Sequence, residues 1–139
     1  MQALGRQILV ELYNCNPEIL NNLKEIEKHM LESCRIAEAT IVTHTFHKFS
    51  PHGVSGAVII AESHVSIHTW PEHNYAAVDI FTCGKSISPW LIHDYLKENL
   101  ESQNTSSTEL RRGLFDIGDK KLLFKPDEED KSCTKKHKS

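Results

Sequence analysis

Apolar and polar residues alternate along several segments of the chain, which is the pattern of a β-strand with one buried face. Residues 5–13 alternate in this way and predict the first strand. Residues 40–49 predict a second strand, and Pro51-His52-Gly53 predicts the turn after it. Alternation or a run of β-branched residues predicts three further strands, over 54–61, 64–70 and 75–84.

Two segments have the spacing of three or four residues that is typical of a helix with one buried face. Asn16 is a helix N-cap, and Pro17 occupies the first turn. An apolar stripe at helical spacing follows, formed by Ile19, Leu23, Ile26, Met30, Cys34 and Ala37. Ser88 and Pro89 begin a second predicted helix, which continues from Trp90 to about residue 100.

The last part of the chain has weaker patterns. Residues 102–107 are polar and predict a loop, and residues 108–124 predict one or two short strands. From Lys125 onward an acidic run is followed by lysines, with too few apolar residues to fold. We therefore expect a single domain over residues 1–125 and a disordered tail over 126–139.

The order of these elements is strand, helix, strands, helix, strand. That order predicts an α+β fold: a two-layer α/β sandwich whose antiparallel or mixed sheet carries both helices on one face. The other face of the sheet must then be covered by solvent or by a partner.

Composition narrows the class of protein. The 139 residues are 39% hydrophobic and 25% charged, with a net charge of -3, so the chain has no general basic footprint for nucleic acid. No apolar run approaches the ~18 residues of a membrane span, and the N-terminus lacks the apolar stretch of a signal peptide. We expect a cytoplasmic protein that binds neither nucleic acid nor membrane. Its four cysteines lie far apart without a CxxC pair, so we expect them to be reduced.

The stretch from Glu62 to Glu72 combines acids, hydroxyls and imidazoles on a predicted strand. Alternation places Val65, Ile67 and Thr69 on the core face and His64, Ser66, His68 and Trp70 on the other. Glu62 and Ser63 fall at the turn between two strands, and Cys83 ends the next strand. A turn serine, a strand histidine and a strand-end cysteine could therefore meet in one pocket.

The run from Phe49 to Gly84 resembles the short bacterial and archaeal S-adenosylmethionine decarboxylases, which use a pyruvoyl group. The motifs that carry the resemblance are Glu62-Ser63-His64, Ile67-His68-Thr69-Trp70-Pro71-Glu72 and Phe81-Thr82-Cys83-Gly84. The likeness extends to Leu4-Gly5-Arg6 and to Thr40-Ile41-Val42-Thr43, and reaches about residue 100.

The resemblance implies a covalent cofactor made from Ser63. Its hydroxyl would attack the carbonyl of Glu62, and the resulting ester would be resolved by elimination and hydrolysis. The products would be a β chain of residues 1–62 and an α chain of residues 63–139 that begins with a pyruvoyl group. Its ketone would form a Schiff base with the substrate amine and provide the electron sink that decarboxylation requires.

The resemblance also implies roles in proton transfer. His68 would be the proton acceptor during processing, since imidazole exchanges protons near neutral pH. Ser55 would assist processing through a hydrogen bond near the attacked carbonyl. Cys83 would be the proton donor to the substrate's α-carbon, because a thiol with a pKa of about 8.5 is largely protonated at neutral pH.

Substrate recognition is implied for two further residues. Glu72 would accept hydrogen bonds from the ribose hydroxyls, and Phe49 would stack on adenine and offer its ring face to the sulfonium. The family forms homodimers with active sites at the interface. Phe49, Ser55, His68 and Glu72 would thus come from one subunit, and Ser63 and Cys83 from the other. The product would be S-adenosylmethioninamine, for spermidine biosynthesis.

Alternatives remain at this point. Each candidate also has an ordinary structural interpretation: hairpin serine, hydrogen-bonded histidine, core cysteine or core phenylalanine. Some archaeal relatives decarboxylate arginine with the same pyruvoyl chemistry, and an unprocessed homologue could serve as the partner of an active enzyme. Six of the nine histidines fall between Thr43 and Asn74, which raises the alternative of a metal-binding module. We expect no metal, because a four-residue offset on a strand spans about 13 Å.

Overall fold

The computed structural model describes residues 2–123. The strands are β1 (Gln2–Tyr13), β2 (Ile41–Lys48), β3 (Val54–Ile60), β4 (Ser63–Trp70), β5 (Tyr75–Cys83) and β6 (Asn104–Phe115). The helices are α1 (Pro17–Leu20), α2 (Leu23–Ile36) and α3 (Pro89–Asn99), and Pro71–His73 form one 3₁₀ turn. The predicted tail over 126–139 lies outside the described residues.

The six strands form one antiparallel sheet in the order β2-β3-β4-β5-β1-β6. Its buried side chains join those of the helices in one hydrophobic core, in which Ile26 and Met30 of α2 and Ile92 of α3 pack with Ile8 and Ile67 of the sheet. The helices therefore cover one face of the sheet. This confirms the predicted α+β sandwich. Of the two predicted sheet types, antiparallel and mixed, the sheet is fully antiparallel.

The first predicted helix is interrupted. Asn22 begins a new helix after α1, and its side chain accepts a hydrogen bond from the amide of Glu25 at 3.2 Å. Asn16 caps α1 in the same manner, through the amide of Glu18 at 2.9 Å. The prediction of one continuous helix from Asn16 was wrong because the apolar stripe keeps its spacing across the break.

The predicted loop over 102–107 was wrong from residue 104 onward. Asn104 begins β6, which pairs with β1 from Tyr13↔Asn104 to Gln2↔Phe115. β6 ends at Phe115, and no further strand lies within residues 116–123. Because β6 is an edge strand with mostly exposed side chains, its backbone pairing with β1 determines its structure. Its serines and threonines therefore gave no apolar alternation to detect.

The sheet face opposite the helices, which we call the outer face, remains accessible in the single chain. Large apolar side chains project from it with 40–48% of their surface exposed: Leu9, Tyr13, Ile59, Trp70, Leu110 and Leu114. Within residues 2–123, all helices bury their apolar sides in the core and none packs on this face. No helix in this range is long and apolar enough to cross a membrane.

Candidate active site

Ser63 is the first residue of β4, directly after the turn that joins β3 to β4. Its φ is +146°, a region that residues with a side chain rarely adopt. The hydroxyl oxygen Oγ lies 3.2 Å from Sγ of Cys83, the last residue of β5. The hairpin register causes this contact, since Ser63 pairs with Thr82 across β4 and β5.

Glu62, the residue before Ser63, is held by hydrogen bonds to its backbone carbonyl and to its side chain. The backbone amide of Cys83 donates a hydrogen bond to the carbonyl oxygen of Glu62 at 2.7 Å. The buried carboxylate of Glu62 accepts a hydrogen bond from the amide of Thr40 at 3.0 Å. The carbonyl that the sequence predicted as the target of Ser63 is therefore fixed against an N–H donor.

Gly5 of β1 leaves space for the thiol of Cys83. A Cβ atom added at Gly5 would lie 2.9 Å from Sγ of Cys83 and 2.8 Å from the carbonyl oxygen of Thr82. Cys83 is only 9% exposed. Any larger residue at position 5 would displace either the thiol or the neighbouring strand.

Ser55 and His68 form a second cluster at the other end of the β3-β4 hairpin. They face each other across the two strands, and Oγ of Ser55 lies 2.7 Å from Nδ1 of His68. The His68 ring is exposed beside Trp70, with 6.3 Å between ring centroids. Ser63 lies five positions before His68 on one strand, which separates the two by ~16 Å. Within a single chain, the structure therefore brings Ser63 to Cys83 but not to His68.

The two predicted recognition residues lie at the His68 end of the sheet. Phe49 follows β2, is 47% exposed and makes an edge contact with the His47 ring at 4.6 Å. Glu72 lies in the 3₁₀ turn after β4 and lines an open groove together with His52. Phe49, Ser55, His68 and Glu72 thus share one end of the sheet, opposite the end with Ser63 and Cys83.

Comparison with known proteins gives a consistent result. A family model described as S-adenosylmethionine decarboxylase matches residues 6–113. A protein of Caldicellulosiruptor saccharolyticus named S-adenosylmethionine decarboxylase proenzyme is 54% identical over 116 residues, covering 84% of this chain and 94% of that protein. One of the same name from Thermosipho melanesiensis is 53% identical, covering 84% of this chain and 89% of its own length. The chain belongs to the S-adenosylmethionine decarboxylase family.

A solved structure agrees with the family assignment. The crystal structure of the adenosylmethionine decarboxylase from Aquifex aeolicus superposes with a TM-score of 0.80 at 30% sequence identity. It covers 87% of this chain and 100% of the other chain. The resemblance seen in the sequence is thereby confirmed, and the family match includes every candidate site residue.

A pyruvoyl group is the cofactor that the family implies, and the residues here fit it. The group derives from a serine, and Ser63 has a strained backbone directly after the turn. The carbonyl before it accepts a hydrogen bond from a backbone amide. Gly5 leaves the adjoining space free for the thiol.

Burial raises the pKa of Cys15 and of Cys34 to about 11, so these two thiols stay protonated within the core.

A hydrogen-bonded network on the outer face was not singled out from the sequence. Nε2 of His64 lies 2.8 Å from Oδ2 of Asp79, and Gln7 donates to Oδ1 of the same carboxylate at 2.6 Å. Arg112 donates to the side-chain oxygen of Gln7 at 3.0 Å. The signal was present as polar residues at outward positions of four strands, but only the strand order shows that these residues are neighbours.

The histidine-rich segment does not form a compact cluster in the described part of the chain. Among residues 2–123, no group of three or more His, Cys, Asp or Glu side chains is placed to hold a metal ion. His64 and His68 have different partners instead, Asp79 and Ser55.

Proposed function

We propose that the protein is a pyruvoyl-dependent S-adenosylmethionine decarboxylase that cleaves its own chain between Glu62 and Ser63. The observation that carries this proposal is the hairpin turn. There a strained serine, a thiol at 3.2 Å and a carbonyl held by an amide at 2.7 Å occupy one small space. Membership of the family supports the same reaction.

Processing begins when Oγ of Ser63 attacks the carbonyl carbon of Glu62. The carbonyl oxygen then gains negative charge, and the Cys83 amide already donates a hydrogen bond to it, which stabilises that charge. The peptide becomes an ester, and loss of the Cα proton of Ser63 releases Glu62 as a new C-terminus. Hydrolysis then releases ammonia and leaves a pyruvoyl group on His64. The β chain would comprise residues 1–62 and the α chain residues 63–139.

A base must remove protons during these steps, and His68 is the candidate. A general base has to come within about 3 Å of the atom that carries the proton, whereas His68 lies ~16 Å from Ser63 in the same chain. The contact of 2.7 Å between Nδ1 of His68 and Oγ of Ser55 holds the ring in place. For Nε2 to accept a proton, Nδ1–H donates to Oγ of Ser55 in this hydrogen bond. We therefore infer that the His68 serving each Ser63 belongs to a second copy of the chain.

A homodimer packed through the outer faces would supply that arrangement. The exposed apolar side chains of this face, such as Leu9, Ile59 and Leu110, are a surface that a second copy can bury. If the two sheets lie in opposite directions, the Ser63 end of one copy meets the His68 end of the other. Each dimer would then contain two composite sites.

In decarboxylation, the pyruvoyl ketone supplies the electron sink for the loss of carbon dioxide. Cys83 stands next to that position, where its thiol can donate a proton to the substrate's α-carbon. The partner would contribute Phe49 for the adenine ring and Glu72 for the ribose hydroxyls. Trp70, Tyr75 and Tyr13 add a stacked aromatic row near His68, with centroid distances of 5.3 and 5.4 Å. Such ring faces attract a sulfonium cation.

Denaturing electrophoresis and intact mass of the purified wild type test the proposal. We expect two fragments that break between Glu62 and Ser63, with the α chain lacking a free amino group and reacting as a ketone. Ser63→Ala should remain one chain, and Ser66→Ala on the same strand should cleave normally. The cleaved enzyme should release carbon dioxide from S-adenosylmethionine. An uncleaved wild type would overturn the pyruvoyl mechanism, and turnover of arginine alone would overturn the substrate.

A further inference from the structure

His64 and its partners form a closed ring of contacts on the outer face. The ring runs from His64 on β4 to Asp79 on β5, Gln7 on β1 and Arg112 on β6. Phe81 closes this ring of contacts. The Arg112 guanidinium lies 5.1 Å from the centroid of the Phe81 side chain, whose centroid lies 5.7 Å from that of the His64 imidazole. Four of the six strands are tied together in this way, all at the Ser63 end of the sheet.

The hydrogen bonds in this ring of contacts have a defined direction. Arg112 donates to Gln7, and Gln7 donates to one oxygen of the Asp79 carboxylate. The other oxygen can only accept while the carboxylate is ionised, so His64 donates to it through Nε2. Since an ionised acceptor makes these hydrogen bonds stronger than neutral ones, Asp79 fixes the position of the His64 ring.

The position of His64 in the chain makes this contact relevant to the reaction. Ser63 is the residue immediately before it, and cleavage would make His64 the second residue of the α chain. The covalent bond that joins Ser63 to the β3-β4 turn would then be lost. The side chain of His64, held by Asp79, would remain as an anchor one residue from the reacting group.

The same ring of contacts also supports Cys83, the other member of the reacting pair. Asp79, Phe81 and Cys83 alternate along β5 and all face outward, and Phe81 is directly opposite both His64 and Gln7 in the register. Fixing Phe81 therefore fixes the strand two residues before the thiol. Residue 63 and Cys83 are both held through one network.

We propose that His64 is a positioning residue: through Asp79 it holds residue 63 opposite Cys83, first for self-cleavage and then for turnover. This inference rests on the proposed function, since it assigns a role within the same reaction. It does not make His64 a catalytic residue, because Asp79 and not the reacting atoms is its partner.

The test compares His64→Ala with His64→Gln and Asp79→Asn. Glutamine keeps an N–H donor near the place of Nε2, whereas alanine removes it. His44→Ala is the matched control, an exposed histidine on edge strand β2 that lies outside the network. Measurements are the rate of self-cleavage by intact mass, kcat and KM of the cleaved enzyme, and the thermal midpoint.

We expect His64→Ala to slow self-cleavage and to lower kcat about 10- to 100-fold, the effect of losing one charge-assisted hydrogen bond, with KM within about twofold. His64→Gln should recover most of both rates. Asp79→Asn should match His64→Ala, and the double variant should be no slower than either single variant because the two residues act as a unit.

Two results would overturn the inference alone. One is a cleaved, active wild type beside a His64→Ala variant with the rates of His44→Ala. The other is a lower thermal midpoint with both rates unchanged, which would mean that the network only stabilises the fold. An uncleaved, inactive wild type would instead overturn the proposed function, and this inference with it.

Discussion

At the scale of single residues, Cys83 contributes two separate groups to the candidate site. Its backbone amide holds the Glu62 carbonyl, while its thiol lies beside the Ser63 hydroxyl. The amide is present whatever the side chain is, so a substitution can remove the thiol and keep the carbonyl donor. Self-cleavage and turnover should therefore respond differently to a change at this position.

For Cys83→Ala we expect cleavage between Glu62 and Ser63 to proceed, because the amide hydrogen bond to the Glu62 carbonyl is retained. The kcat for decarboxylation should fall about 100-fold or more, the usual effect of removing a positioned proton donor. Intact mass measures the first step, and carbon dioxide release measures the second. A Cys83→Ala variant that stays uncleaved would show that the thiol itself is needed for processing.

At the scale of the elements, the sequence predicted those strands and helices that bury one face in the core. The alternation of Val65, Ile67 and Thr69 identified the core side of β4 because that side packs against the helices. The edge strand β6 buries little, so its pairing with β1 left no periodic signal. The residues of the candidate site came from local motifs, but their distances depend on pairing between strands. The separation of Ser63 from His68 within a chain follows from that pairing.

The break between α1 and α2 gives a prediction about stability. Asn22 caps α2 by accepting a hydrogen bond from the Glu25 amide, and Asn22→Ala should lower the free energy of unfolding by about 1 kcal/mol. Lys24→Ala, an exposed change in the first turn of the same helix, is the control and should alter it by less than about 0.5 kcal/mol. Urea unfolding measures both variants. Equal midpoints for Asn22→Ala and the wild type would mean that the side-chain cap contributes nothing.

At the scale of the whole molecule, the two halves of the candidate site lie at opposite ends of one sheet. Ser63 and Cys83 are at one end, and Ser55 and His68 are at the other. A single copy cannot bring these groups together without breaking the β3-β4 ladder, whose register is continuous from Ser55 to Ser63. The proposed dimer through the outer faces would bring them together with no change of fold, and processing would then depend on the partner.

This dependence can be tested by mixing two inactive variants. Ser63→Ala lacks the attacking hydroxyl, and His68→Ala lacks the proposed base, so each alone should remain uncleaved. In a mixed dimer, one composite site combines the intact Ser63 of the His68→Ala copy with the intact His68 of the Ser63→Ala copy. Co-expression should therefore yield cleaved chains, and intact mass should show that all of them carry the His68→Ala substitution.

The amount of cleavage follows from the pairing. Random association of equal amounts of the two variants places half of the His68→Ala copies in mixed dimers, so up to half of those copies should be cleaved. Co-expression of His68→Ala with His68→Ala/Ser63→Ala is the matched control and should give no cleavage, since neither copy has the base. If the first mixture also stays uncleaved while analytical ultracentrifugation shows mixed dimers, His68 does not act across the interface. The base for Ser63 would then have to be sought among residues of its own chain.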